Sequence, residues 1–248
     1  GGSLMDFAAF FDKYGALLAQ GTVDTALMVL ASTLGAYVIG VILGTLLTVL
    51  APGGLRPNRV VYAVIGWIVN MARSLPFIIL LLFLIPVTRA VVGTTLGVPA
   101  AVFPLIVSAA PFVARMVESS EAEVDRGLVE AASSMGASTW EIITKVYLRE
   151  GLPSLLRGLP IVIITILGYT AMAGTVGAGG LGDIAIRYGH QRGITSVMWV
   201  TVVILIVLVQ IVQSFFSWLT KKIDKRQRTD QSADFTPLQF LAHFTHTK

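Results

Sequence analysis

At 248 residues, with 55% hydrophobic and only 13% charged content and a mean hydropathy of +0.80, the chain is too apolar for one soluble domain and fits an all-α, polytopic membrane protein. The net charge of +4 does not point to nucleic acid, because the basic residues fall in loops and at the C-terminal end instead of on one face with stacking aromatics; they read as membrane-orientation signals. With no cysteine there is no disulfide framework, thiolate chemistry or cysteine-ligated metal, and the redox compartment is left open.

Gly1-Gly2-Ser3 reads as a cloning scar, and Asp6 and Asp12 argue against a cleavable signal peptide after it. Leu4, Phe7, Phe11, Tyr14 and Leu18 follow helical spacing beside Asp6, Asp12 and Lys13. Residues 1–25 are therefore expected to lie as a helix at the membrane surface, or equally to extend the first span. A membrane domain then occupies residues 26–220. Its first span, residues 26–50, is an uncharged run long enough to cross a core that needs about 20 residues, and Pro52-Gly53-Gly54 ends it. After Arg56 and Arg59, a second stretch covers residues 60–87, interrupted by Asn70 and Arg73. Pro76 is expected to kink this helix or to start its straight part, and Arg73, placed near the cytoplasmic interface, to snorkel to the headgroups; these structural roles are favoured over the alternative, substrate contact. The third span, residues 98–117, carries Pro99, Pro104 and Pro111, whose freed carbonyls need neighbouring partners.

Residues 126–153 form the one substantial polar, helix-prone island. Gly136 can end a first helix in the left-handed conformation, and Ser138 followed by Glu141 reads as a capping box opening a second. Ala132 and Gly136, four apart, leave nearly bare backbone on one face of the first helix; Trp140, Ile143, Val146 and Tyr147 form an apolar stripe on the second. The plain alternative is a solvated connector.

The fourth span, residues 155–173, runs into GYTAMAGTVGAGGLGD, Gly168 to Asp183. Gly177-x-Gly179-x-x-Gly182 formally matches a dinucleotide fingerprint, but no strand precedes it and no βαβ unit surrounds it, so that reading is rejected. Small residues here suit close helix crossings and an irregular re-entrant turn. The fifth span, residues 194–219, has Trp199 and Trp218 near its ends as interfacial anchors and stops at a basic tail, residues 221–248, with Lys221, Lys222, Lys225, Arg226 and Arg228. Beyond Thr229 the sequence is either native or vector-derived.

Five spans put the termini on opposite sides. With the N-terminus outside and the C-terminus cytoplasmic, Arg56, Arg59, Arg115, Arg126, Lys145, Arg149, Arg157 and the basic tail lie inside, against Arg89, Arg187 and Arg192 outside, in line with the positive-inside rule. No GxxxxGK[ST] loop occurs, so the chain does not bind ATP in the usual way. The spans hold no acidic or histidine relay of the kind ion-coupled transporters use. His190 is alone in an external loop and His243 and His246 lie in the tail, which reads as surface histidines instead of a metal site.

Glu130-Ala131-Ala132, three residues, Gly136, nine residues, then an aliphatic residue, a spacer and Leu148 resembles the EAA loop of ABC importer permeases, the element that docks on the ATPase. One departure is visible: the family usually has Pro straight after that Leu, where this chain has Arg149, and Pro follows only at Pro153. Arg73-Ser74-Leu75-Pro76-Phe77 resembles the start of a core helix in amino-acid importer permeases, and SLPFIILL, TRAVVGT, AAPFVARMVE and GYTAMAGTVGAGGLG together resemble the methionine branch. The resemblance spans nearly all of Ala26 to Leu219.

The resemblance implies a permease subunit that forms a translocation pathway for methionine by alternating access in a bacterial inner membrane. It also implies two separate ATPase subunits holding ATP and Mg²⁺, a second copy of this chain, and an extracytoplasmic solute-binding protein. No cofactor or metal is expected in the chain itself, and no enzymatic activity. On this resemblance Glu130, Ala131, Ala132, Met135, Gly136 and Ala137 are the ATPase-coupling candidates. Tyr169, Thr170, Met172 and Thr175 are candidates for the pathway or gate, with packing of the fourth span as the alternative for each. A permease for glutamine or histidine is the runner-up, ahead of a membrane enzyme, for which no convergent catalytic groups are found, or a non-transporting scaffold.

Overall fold

A computed structural model describes residues 2–233, with side-chain surroundings described for residues 8–219; the end of the tail from residue 234, with His243 and His246, lies outside the described residues. The first element, α1 (Gly2–Leu50), is a single unbroken helix. At about 1.5 Å per residue it is far longer than a ~30 Å hydrocarbon core. The N-terminal segment therefore extends the first span instead of lying apart from it, because nothing between Gly15 and Ala26 interrupts the helical hydrogen bonding.

Asn58 caps α2 (Arg59–Ser74) through its side-chain oxygen, which accepts from the Val61 N–H at 3.1 Å. The expected second span does not run straight. Leu75 leaves the helix in an extended conformation, as a residue before proline must, and α3 (Phe77–Phe83) restarts after Pro76 at 106° to α2. A short α4 (Ile85–Val92), closed by left-handed Gly93, leads to α5 (Gly97–Ala122), which contains the third span and keeps Pro104 and Pro111 inside one helix.

The core is built around α5. α1 lies along it, α2, α3 and α4 pack on other faces, and α8 (Leu148–Ala173) closes the bundle. Met28, Ala36, Leu105, Val113, Val117, Val162 and Ile166 are all fully or nearly fully buried where these helices meet. Small residues set the α1–α5 distance: a Cβ added to Gly44 would meet the Ala114 carbonyl oxygen at 2.5 Å and Val117 Cβ at 2.5 Å, so only glycine permits this approach. Polar ties reinforce it. Thr45 donates to the buried Glu121 carboxylate at 2.6 Å, and Arg115 on α5 donates to Glu118 at 2.6 Å, to the Gly66 carbonyl at 2.9 Å and to Asn70 at 3.1 Å. Tyr62 completes that α2–α5 seam by donating to Glu118 at 2.9 Å, so Asn70 interrupts the apolar run in order to partner an arginine across the helix pair.

After α8 the chain folds back at Gly177, Gly179 and Gly180, all with positive φ, into α9 (Gly180–Ile184) and a wider helical turn over Ala185–Gln191. The Leu181 N–H donates to the buried Thr25 hydroxyl on α1 at 2.9 Å. A Cβ on Gly182 would sit 2.5 Å from the Ala171 Cα, backbone against backbone. The glycine-rich stretch is thus a compact re-entrant turn, in which the glycines serve close packing. Last, α10 (Thr195–Ala233) contains the fifth span and continues as helix past Lys221 instead of stopping there. Among the described residues four helices are long and apolar enough to cross a membrane, or five when the bent α2–α3 pair counts as one.

Candidate functional site

The polar island folds as its local signals dictate. Asp125 caps α6 (Arg126–Ser134) by accepting from the Gly127 N–H at 2.8 Å. Gly136, at φ 81°, closes it in the left-handed conformation, with Met135 N–H donating to the Ala131 carbonyl and Ala137 N–H to the Ala132 carbonyl, both at 3.1 Å. Ser138 then opens the next helix with a reciprocal capping box: its hydroxyl accepts from the Glu141 N–H at 3.3 Å and its N–H donates to the Glu141 carboxylate at 3.0 Å. Lys145, one turn on, donates to the same carboxylate at 3.0 Å.

The second helix is not short. It begins at α7 (Thr139–Ile142), widens to i→i+5 bonding over Ile143–Tyr147 and continues without a break as α8. The apolar stripe is correspondingly split: Tyr147 is buried against the bundle, Ile143 and Val146 are half-buried, and Trp140 is 71% exposed. What faces solvent is the turn. No residue of α6 is buried, Met135 is 82% exposed and Leu128 48%. An amphipathic helix with no covered face, followed by two large uncovered apolar side chains, is an element without its partner surface.

The six coupling candidates are contiguous on this projection. Met135, Gly136 and Ala137 form its tip, Ala131 is exposed and Ala132 half-buried. Glu130 lines a cavity of about 490 Å³ between α6 and the C-terminal ends of α1 and α5, with Arg126, Glu118, Glu121 and Tyr147 around it. Arg56, from the loop after α1, donates to the Thr139 hydroxyl at 3.3 Å. The arginine-bearing loop and the projection therefore lie at the same end of the bundle.

The four pathway candidates do not converge. Thr170 is buried and its hydroxyl donates to the Leu167 carbonyl at 2.7 Å, a packing role; Thr175, exposed, donates to the Met172 carbonyl at 2.7 Å, and Met172 points outward. Tyr169 alone enters a cleft. Its ring stacks on Phe77 at 4.5 Å and 5° and lines a space of about 290 Å³ with Arg73, Leu75, Ser108, Phe112 and Thr165. Sequence reasoning missed Ser108, Phe112, Ile161 and Thr165. Their spacing, Ser108 with Phe112 and Ile161 with Thr165 and Tyr169, marks one face on each helix, but spacing alone does not say that the two faces meet.

Arg73 borders the same space. It lies at the opposite end of α2 from Arg59, about 21 Å along a helix rising ~1.5 Å per residue, and its guanidinium stands 6.0 Å from the Phe112 ring, midway along α5. Arg73 is exposed at the C-terminal end of α2, just before Pro76 turns the chain across the bundle. Among the described residues no group of three or more His, Asp or Glu side chains is arranged to hold a metal ion.

Comparison with known proteins follows this geometry. Residues 36–226 match the family described as binding-protein-dependent transport system inner membrane component. A probable D-methionine transport system permease protein MetI of Vibrio cholerae is 46% identical over 224 residues, 90% of this chain and 100% of that one. The corresponding Pasteurella multocida protein is 44% identical over 85% of this chain and 97% of its own. A chain of the MetNI methionine ABC transporter, solved in inward-facing conformations, superposes with a TM-score of 0.81 at 43% identity, covering 85% of this chain and 97% of that chain.

Proposed function

Because this chain belongs to the family of binding-protein-dependent transport system inner membrane components and is a permease subunit of an ABC importer, we propose that it forms the membrane pathway for methionine. In this reading two copies of the chain enclose the pathway. Two ATPase subunits, which hold ATP and Mg²⁺, bind the α6–α7 projection, and a solute-binding protein delivers substrate to the opposite end. The N-terminus lies outside and the C-terminal tail in the cytoplasm, which puts Arg56, Arg59 and the projection on the ATP side.

The observation that carries this reading is the uncovered projection. Glu130, Ala131, Ala132, Met135, Gly136 and Ala137 present a short helix and its tip for insertion into a groove on another protein. The projection is continuous with α8 through an unbroken helical backbone. Closure of the ATPase pair would push on the tip, and the rod from Thr139 onward would carry that displacement into the bundle, switching it between inward- and outward-open states.

The test is co-purification and uptake. Gly136→Trp puts a bulky side chain at the tip on a backbone with φ 81°, a conformation costing an L-residue roughly 1–2 kcal/mol. It is expected to abolish both ATPase association and ATP-dependent uptake; retention of both would sink the coupling assignment. In proteoliposomes with the binding protein, methionine is expected to be taken up in preference to glutamine and histidine. Transport of glutamine without methionine would overturn the substrate.

A further inference from the structure

Two arginines lie on the α2–α5 seam, and their surroundings differ. Arg115 is saturated: Glu118, the Gly66 carbonyl and Asn70 take its donors. Arg73, whose neighbour Phe112 is less than one turn of α5 from Arg115, meets no carboxylate among the described residues and stands 6.0 Å from the Phe112 ring. A charge in a membrane protein that lines a cavity and lacks a counter-ion among the described residues is an arrangement that can receive an ion of opposite sign.

The cavity beside it is built for a small zwitterion with an apolar tail. α2 contributes Arg73 at one end. α5 contributes Ser108, whose hydroxyl makes no hydrogen bond within the described structure, and Phe112 one turn away. α8 contributes Thr165 and Tyr169, the latter held in place by its stack on Phe77. The Thr165 hydroxyl donates to the Ile161 carbonyl at 2.7 Å, which leaves its lone pairs free to accept. One cationic fork, two hydroxyls and aromatic walls in about 290 Å³ are a compact mixture of apolar surface and few polar groups, as small-molecule sites are.

We infer that Arg73 receives the carboxylate of the transported amino acid, with Ser108 and Thr165 accepting from its ammonium group and Phe112 and Tyr169 holding its side chain. This rests on the reading of the chain as an amino-acid permease. The guanidinium fork fits a carboxylate with two parallel hydrogen bonds, which a lysine cannot reproduce. The site selects for a free α-carboxylate, whatever the side chain, and its aromatic walls favour an unbranched apolar tail.

The experiment uses the permease–ATPase complex in lipid nanodiscs without binding protein. An arginine-directed dicarbonyl, phenylglyoxal, is applied and labelling of the Arg73 peptide is read by mass spectrometry, with the Arg115 peptide as internal reference. Methionine is expected to slow Arg73 labelling at least about fivefold, and methioninamide, which lacks the carboxylate, to leave it unchanged. Equal protection by both compounds, or by neither and by no other amino acid, overturns the assignment. Protection by glutamine or histidine but not methionine would refute the methionine reading while keeping the carboxylate site. In uptake assays Arg73→Gln is expected to lose at least tenfold, the scale of a lost charge-assisted pair, and Arg73→Lys to recover part of it. Wild-type uptake by Arg73→Gln would overturn the proposal, and should that variant fail to assemble, the labelling result on the unmodified chain still decides.

Discussion

Two glycines of α1 that each meet α5 make a matched test of how this bundle is held together. Gly35 and Gly44 both face α5, and in both a new Cβ would collide, but with different things. At Gly35 the obstacle is the side-chain end of Ile106, which can change rotamer. At Gly44 it is the Ala114 carbonyl oxygen and the Val117 Cβ, each 2.5 Å away and each fixed to the α5 backbone. No rotamer relieves the second clash; the helices must separate by roughly 0.5 Å, and overpacking of that kind costs about 1–3 kcal/mol. Both substitutions gain helix propensity, at most ~1 kcal/mol for Gly→Ala. Gly35→Ala is therefore expected to be neutral or slightly stabilising, and Gly44→Ala to be the less stable of the two by about 1–2 kcal/mol. At roughly 2–4 °C per kcal/mol for a chain of this size, the apparent melting midpoint in detergent, followed by circular dichroism, should separate them by about 3–6 °C. If Gly44→Ala melts with or above Gly35→Ala, close backbone approach is not what sets the α1–α5 interface.

Thr25→Val removes the acceptor of the buried Leu181 N–H and should cost about 1–3 kcal/mol as an orphaned donor, lowering the melting midpoint, while Thr25→Ser stays near wild type; equal stability of Val and Ser variants would refute the tie. Ser138→Ala removes the side-chain half of the capping box, worth about 1 kcal/mol, and should raise amide hydrogen exchange over residues 138–142 about fivefold, with no change inside α5; unchanged protection would mean that tertiary contacts alone hold this helix start. Gly182→Ala forces backbone against the Ala171 backbone and should destabilise more than Gly168→Ala, whose Cβ would meet nothing; the comparison is read by thermostability, and the reverse order would refute the packing role given to the glycine-rich turn.

The parts of this structure that were readable from sequence are those written in a few adjacent residues. Gly136, Ser138 and Glu141 specify the α6–α7 turn because a left-handed closure and a reciprocal cap each need only local backbone. Depth in the bundle is not written locally. Hydropathy over residues 60–87 reads as one span, since Pro76 announces a restart but not its 106° direction. The facing of Ser108 and Phe112 toward Thr165 and Tyr169 is likewise a property of how α5 and α8 cross, which neither sequence period encodes.

Arg149 shows the same limit from the other side. By local rule, a proline after Leu148 would have removed an N–H and pressed its ring against the Lys145 carbonyl, breaking the helix where it already widens at Ile143–Tyr147. With arginine there, the N–H is kept and the helix runs unbroken from Thr139 to Ala173, with Pro153 carried inside it. The departure from the expected pattern therefore has a mechanical consequence: the exposed Trp140 and the cleft-lining residues Thr165 and Tyr169 lie on one continuous helix that carries Pro153 and Pro160 inside it, and Met135 joins that helix through the Gly136 turn, so a displacement at Trp140 reaches the cleft along a single helix.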